Sequence, residues 1–422
     1  MALLCLAGLG VLFYASYGFS NWLASQRSDL SSIVFDWETS IPFLAWTIVP
    51  YWTTNLFYAA SLFLCRTQAE FSSHVKRLLT AQVISVTCFL LLPLKFSWPK
   101  PDTTGAFNFL YEGLALFDKP YNQAPSLHVA LTTILAALYL KILPKWGRIL
   151  FAAWSALVIV SVMTTYQHHF IDIPTGALLG LFCVWLWPSD GSKRVTSWRK
   201  PGGRRLKLAC GYLFGAAVCG FAACTLQGWY LWMFWPSFTL LAVSLAYMGL
   251  GVAVFDKSPD GRIGWPSRIL LFPYLATARL NSRIWTGRDK KTVEIVDGVY
   301  LGRFPDSGDL SAFTTVVDLT CEFSKPCPSP AWISLPVLDL TASSPALLVA
   351  AADTIEQARA RGPVLVVCAL GYGRSVAALT VWLVRTGRAS SIATALRLLG
   401  DKRPKLTLSP EQMVSVTEAV NG

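Results

Sequence analysis

Residues 363–375 read Pro-Val-Leu-Val-Val-Cys-Ala-Leu-Gly-Tyr-Gly-Arg-Ser. An apolar, β-branched run from Pro363 to Val367 breaks at Cys368 into a glycine-bearing loop that ends on Arg374 and Ser375. The run reads as a buried strand. Val376 to Arg385, closed by Gly387, reads as a helix with a glycine stop. The loop therefore lies between a strand and a helix N-terminus. Backbone N–H groups at such a start, with the curvature that Gly371 and Gly373 permit, form an anion-binding nest. The same field favours a thiolate at Cys368. Arg374 can grip two phosphate oxygens at once, and Ser375 can donate a hydrogen bond to the sulfur as it leaves. The spacing suits the holding of a phosphate while sulfur attacks it.

Around this loop the soluble part alternates strand and helix signals. Strands are expected near 293–301, 314–319 and 363–367. Ser344-Pro345 opens a helix that ends near Gly362, and Ser409-Pro410-Glu411-Gln412 is a capping-box start. Such alternation argues an α/β domain. Residues 293–422 resemble a dual-specificity (Cys-dependent) protein phosphatase domain, whose pattern is His-Cys-x5-Arg-Ser/Thr. Val367 stands where the family's loop-bracing histidine does, so the resemblance implies that Val367→His would raise activity. It also implies an upstream aspartate as general acid. Asp339, within Leu335–Thr341, has the family's spacing; Asp318 is the competitor, at a core strand end.

The rest of the chain has another character. The sequence is 54% hydrophobic and 14% charged, the composition of a membrane protein with something soluble attached. Eight apolar stretches precede residue 256, at about 2–24, 42–65, 78–95, 126–144, 148–166, 169–188, 206–226 and 229–255, against a need of about 17–25 residues for each crossing. The first has no basic flank and no cleavage site, and reads as a retained anchor. Basic residues fall in alternate loops: Arg66, Lys76 and Arg77; Lys141, Lys145 and Arg148; then Lys193, Arg194, Arg199, Lys200, Arg204, Arg205 and Lys207. These loops are expected to face the cytoplasm, with both termini inside. The net charge of +12 then faces anionic lipid rather than nucleic acid. The ten cysteines lack paired spacing and read as packing residues. No Cys/His cluster has zinc spacing, and no metal or cofactor is expected.

Three of the four histidines fall in two short motifs of this apolar half. Ala124-Pro-Ser-Leu-His128 opens the fourth stretch, and Ser161 to Asp172 bridges the fifth and sixth with Gln167-His168-His169. By the charge argument both motifs lie at the outward face, where ionisable groups are costly and functional. His168 and Asp172 are four apart and are expected on one helix face. An aspartate on one ring nitrogen leaves the other nucleophilic. His128 would be the acid, and His169, about 100° round the helix, the bystander.

Residues 78–188 resemble the type-2 phosphatidic acid phosphatase superfamily, which includes lipid phosphatases and lipid phosphotransferases. Its pattern is Lys-x6-Arg-Pro, Pro-Ser-Gly-His and Ser-Arg-x5-His-x3-Asp. Here Lys95 and Lys100-Pro101 stand first, then Pro125-Ser126-Leu127-His128, then Ser161-Val162 with His168 and Asp172. Lys95, Lys100 and Ser126 are the implied phosphate-binding groups. Leu127, followed by Val129-Ala130, resembles the inositol-phosphoceramide and sphingomyelin synthase branch. Lys100 and Val162 replace two phosphate-gripping arginines, which favours a phosphodiester donor over a doubly charged monoester.

The expected organisation is a multi-span helical membrane domain at 1–255, with about eight helices around a six-helix core, an interfacial linker at 256–290 and a cytosolic α/β domain at 291–422. The combination resembles bacterial inner-membrane fusion proteins with phospholipid or lipid-phosphate substrates at two sites. A phosphoprotein is a second candidate for the cytosolic site. The competing expectation makes that domain a weak phosphate-binding regulatory module.

Overall fold

The computed structural model describes residues 1–192, 198 and 200–422. Lys193, Arg194 and Arg199 of the basic loop lie outside the described residues. The chain divides into two compact units, Met1–Arg194 with Ala222–Leu231, and Val195–Phe221 with Trp232–Gly422.

The first unit is helical: α1 (Ala2–Ser25), α2 (Ile48–Ser61), α3 (Gln68–Leu91), the short α4 (Asn108–Ala115), α5 (Leu127–Ile142), α6 (Lys145–Thr164) and α7 (Asp172–Leu186). Caps set several starts. The Thr67 hydroxyl accepts the Glu70 N–H at 3.1 Å to open α3, and Ser126 accepts the Val129 N–H at 3.3 Å to open α5. Helix α5 is central and packs on α2, α3, α6 and α7. Its approach to α7 depends on glycine: a Cβ at Gly176 would lie 2.4 Å from the Ser126 carbonyl, and one at Gly180 2.7 Å from that of Ala130. Helix α7 thereby holds its N-terminal residue, Asp172, near the start of α5.

Helix α8 (Gly203–Leu226) runs through both units; α9 (Phe234–Leu245), α10 (Trp265–Leu270) and α11 (Phe272–Thr286) belong to the second. Five helical segments among the described residues are long and apolar enough to cross a membrane: Ala2–Ser25, Gln68–Leu91, Lys145–Thr164, Gly203–Leu226 and Gly228–Phe255. Helices α5 and α7 are apolar but shorter. The stretch expected at 42–65 contains only the 14-residue α2, preceded by a single turn at Ala45–Thr47. The last segment is not one straight helix, because the chain leaves helical geometry at Gly249.

The second unit also carries a five-stranded sheet in the order β1-β2-β5-β3-β4, with β1 (Thr292–Val296), β2 (Val299–Arg303), β3 (Thr315–Thr320), β4 (Ala331–Val337) and β5 (Val364–Cys368). All pairs are parallel except β1 with β2. The single strand expected at 293–301 is a hairpin. Asp297 and Gly298 both take positive φ, 52° and 74°, the two-residue turn that Asp-Gly favours. Strand β4 is an addition to the strands the sequence suggests; it is an edge strand and so tolerates Pro336. Helices α12 (Pro345–Arg359), α13 (Arg374–Arg385), α14 (Ile392–Lys402) and α15 (Pro410–Asn421) follow. Ser344 caps α12, and Ser409 with Gln412 forms the capping box of α15. These helices cover one sheet face around the fully buried Trp382. The other face holds a ring-rich cluster of Phe304, Phe313, Phe323, Trp332 and Val367, with Ala278 of α11 packed on it.

Candidate active sites

Strand β5 is the middle of the sheet, and Cys368 is its last residue. A ligand site in an open α/β sheet sits at this carboxyl end. The chain turns at Gly371, φ +76°, where a Cβ would meet the Gly302 carbonyl at 2.7 Å. Gly373, expected to supply the same freedom, takes φ −125° as the N-cap of α13; its restriction is space, since a Cβ there would stand 3.2 Å from the Thr407 carbonyl oxygen.

The Cys368 sulfur accepts the Gly371 N–H at 3.3 Å and the Ser375 hydroxyl at 3.2 Å. Burial pushes its pKa up, but the Arg374 charge, the Ser375 hydroxyl and the Ser375 and Gly373 backbone N–H groups outweigh burial, and the net shift is downward. Arg374 is buried and held on several sides. Its terminal nitrogens donate to both Glu322 oxygens at 2.5 and 3.0 Å and to the Val337 carbonyl at 2.8 Å, and lie 3.0 Å from Asp339. Burial disfavours the guanidinium, yet Glu322 and Asp339 raise its pKa well above the ordinary value. Glu322 in turn is kept ionised by Arg374 against its own burial.

Asp339 is 41% exposed and lines a cavity of about 540 Å³ together with Cys368 and Arg374. Asp318 is fully buried and consumed by structure: Lys257 at 2.5 Å, the Trp332 indole at 3.1 Å and Thr320 at 2.8 Å. Of the two carboxylates, only Asp339 reaches the cavity.

Val367 lies in the apolar ring cluster with no exposed surface. An imidazole there would be buried among aromatic rings and would need partners for its ring nitrogens. The loop is braced by other means. Ser282 of α11 donates to the Ala369 carbonyl at 2.6 Å, Arg403 to that of Leu370 at 2.9 Å, and the Thr407 N–H to that of Tyr372 at 2.9 Å.

In the first unit, His168 Nδ1 lies 3.2 Å from Asp172 Oδ2, leaving Nε2 for chemistry. The pairing does not arise on a helix face as the spacing suggested. His168 is in the turn between α6 and α7, and Asp172 is the first residue of α7. The same Asp172 oxygen accepts the His169 N–H at 3.0 Å, which orients the carboxylate. His169 turns elsewhere: Nδ1 to Glu38 at 3.0 Å, Nε2 accepting the Ser97 N–H at 3.1 Å, and its ring stacked on Phe96. Both of its nitrogens are occupied.

His128, on the first turn of α5, stacks on Tyr51 at 3.9 Å, and its Nε2 is buried without a partner. It lines one cavity of about 50 Å³ with His168. Asp118 also lines it, accepting the Tyr17 hydroxyl at 2.7 Å and that of Tyr51 at 3.2 Å. The expected phosphate-binding groups are not brought here. Lys95 is exposed, Lys100 is half-buried, with burial lowering its pKa against the pull of the Asp118 charge, and is not among the cavity's lining residues, and the Ser126 hydroxyl caps α5. No lysine or arginine lines the cavity among the described residues. Sequence reasoning missed Asp118, Tyr51, Glu38 and Glu322, which carry no local motif.

Comparison with known proteins follows this division. No curated protein matches the chain. Solved structures similar to part of the chain include Tk-PTP in its active form, 27% identical over 32% of this chain and 98% of that one, TM-score 0.29. Human DUSP28 is 24% identical over 31% of this chain and 95% of that one, TM-score 0.28. PTPMT1 in complex with PI(5)P is 16% identical over 31% and 96%, TM-score 0.28. Residues 74–195, which hold both histidine motifs, match the PAP2 superfamily.

Proposed function

We propose that this chain is a bifunctional membrane phosphoester enzyme acting on phospholipid head groups, with a Cys-dependent cytosolic phosphatase site and a His-dependent outward site. The observation that carries the proposal is the pairing of two phosphate-directed nucleophiles in separate compact units: Cys368 with its sulfur donors, and His168 with Asp172.

At the first site the Cys368 thiolate attacks phosphorus and the P–O bond to the leaving group breaks. Protonated Asp339 gives its proton to that oxygen. A water then loses a proton to the Asp339 carboxylate and attacks phosphorus, the S–P bond breaks, and Ser375 stabilises the departing thiolate. At the second site His168 Nε2 attacks phosphorus, and His128 protonates the leaving oxygen. Water or an alcohol, giving its proton to His128, then attacks the phosphohistidine, with hydrolysis or head-group transfer as the outcome.

The cavity around His128 and His168 carries the Asp118 carboxylate and, among the described residues, no lining cation. That charge opposes a phosphate dianion, which supports a phosphodiester donor and the synthase-like branch for this site. Arg66 and the basic residues at the helix ends beside it and beside Leu143, namely Lys76, Arg77, Lys141, Lys145 and Arg148, support a cytoplasmic placement of those helix ends and of both termini, in a bacterial inner membrane.

One observation favours a different role for the Cys domain. Arg374 is already engaged by Glu322 and Asp339, as in a module that binds phosphate weakly and regulates the membrane half. Purified full chain in detergent, tested on a phospholipid panel, separates the two. The enzyme reading expects Cys368→Ser and His168→Ala to remove different subsets of activity. Loss of nothing in Cys368→Ser supports the regulatory module.

A further inference from the structure

Arg204 lines the Cys368 cavity. It stands in the first turn of α8, one of the segments long and apolar enough to cross a membrane, and it lies in the same compact unit as the sheet. Farther along that helix Phe214 is 72% exposed, as lipid-facing apolar side chains are. A second apolar segment reaches the same site: the Tyr247 hydroxyl, just after α9, donates to the Asp339 carbonyl at 2.9 Å. The loop carrying the acid is thus tied to one apolar segment, and the cavity wall is completed by another.

The rim is apolar where a soluble phosphate would need polar contacts. Trp285 lines the cavity and is 63% exposed. Leu340, next to Asp339, also lines it, 49% exposed and at φ +56°, a conformation a leucine rarely adopts. A backbone cost taken to present an apolar side chain at a mouth points to a function there. From Trp285 the apolar surface continues along α11, where Phe272, Leu280 and Ile284 are exposed at spacings of multiples of four, one face of the helix. That face suits a helix lying in the membrane surface. Cations share the cavity with that rim: Arg204 and Lys405 join Arg374 in its lining.

We propose that the Cys368 cavity takes a lipid phosphomonoester still seated in the bilayer leaflet. Arg204 of α8 binds its head group, and the Trp285–Leu340 rim receives the apolar part nearest the phosphate. The proposal rests on the Cys-dependent reaction proposed above and adds the substrate class and a specificity-determining residue. The charge arrangement fits. A phosphomonoester head group carries between one and two negative charges, which cations at the leaflet surface attract. Arg204 meets the glycerol-ester oxygens beside the phosphate, which an aryl phosphate lacks, and an arginine does so with paired donors.

The test uses full-length protein reconstituted in phosphatidylcholine vesicles doped with phosphatidic acid. Only the phosphate release that Cys368→Ser abolishes is counted, so turnover at the histidine site does not contribute. p-Nitrophenyl phosphate and a soluble phosphotyrosine peptide are run in parallel. The expected result is a Cys368-dependent kcat/KM for phosphatidic acid at least about tenfold above that for the peptide. Arg204→Ala should lower the phosphatidic acid to p-nitrophenyl phosphate ratio by about tenfold, and Arg204→Lys should restore part of it, since one charge-assisted hydrogen bond is worth about that factor. An equal fall on both substrates in Arg204→Ala would make Arg204 a structural residue and overturn the assignment. A better rate on the peptide would overturn the lipid class. Unchanged hydrolysis of p-nitrophenyl phosphate in Cys368→Ser would sink the underlying Cys reaction itself, an outcome distinct from Cys-dependent aryl turnover without lipid preference, which defeats the lipid proposal alone.

Discussion

Cys368→Ser should remove metal-independent hydrolysis of aryl phosphates by the full chain, a fall on the order of 10⁶, the scale seen when a catalytic nucleophile is deleted. The sulfur sits at the base of the nest: it meets the Gly371 N–H, the Ser375 hydroxyl and the Arg374 charge in a buried setting. Serine keeps all three donors, so the variant should still bind tungstate or vanadate, readable by protection of Cys-domain peptides from proteolysis. The companion change Asp339→Asn leaves attack intact and removes the proton donor, and should cost about 10²–10⁴, more with poor leaving groups. Because Asp339 also pairs with Arg374 at 3.0 Å, neutralising it leaves Glu322 as the carboxylate partner of the guanidinium, beside the Val337 carbonyl. A Cys368→Ser protein that keeps turning over aryl phosphate would refute the thiolate mechanism.

His168→Ala should eliminate activity at the other site, and Asp172→Asn should lower it by about 10⁴, the cost of a mis-set tautomer in a serine protease triad. Asp172 holds Nδ1 of His168 and the His169 N–H with one oxygen, so an asparagine disturbs both. His169→Gln gives the contrasting outcome. Its ring spans Glu38 and the Ser97 N–H in a buried position, so the change costs stability, about 1–3 kcal/mol for the unsatisfied partners, while the nucleophile remains. Trapping phosphohistidine in His169→Gln and failing to trap it in His168→Ala is the expected pattern; the reverse moves the nucleophile to His169.

Legibility followed range. The Cys368–Ser375 loop is readable because its strand, its glycine turn and its helix start are contiguous, and each residue's chemistry is local. The His168–Asp172 pair is readable from a spacing of four, but the spacing suggests the wrong cause: a turn and a helix start bring them together, not a continuous helix. Glu322 reaches Arg374 from 52 positions away and Glu38 reaches His169 from 131, so neither leaves a trace at short range. The Asp297-Gly298 hairpin is legible in kind, since that dipeptide marks a two-residue turn, yet the flanking apolar run obscures it. Lys95, Lys100 and Ser126 show the limit of motif transfer. Their spacing invites a phosphate role, whereas the folded chain exposes the first, half-buries the second without bringing it into the cavity lining and uses the third as a cap.

The central claim is that one chain carries two independent phosphate-accepting nucleophiles. Quenching the full-length protein during turnover, with an aryl phosphate and a phospholipid donor both present, and mapping covalent phosphorus by mass spectrometry tests it directly. The account predicts two adducts, an S-phosphocysteine at Cys368 and a phosphorylated or head-group-phosphorylated histidine at His168, each lost only in its own variant. A single adduct, or one substitution that erases both, would contradict it.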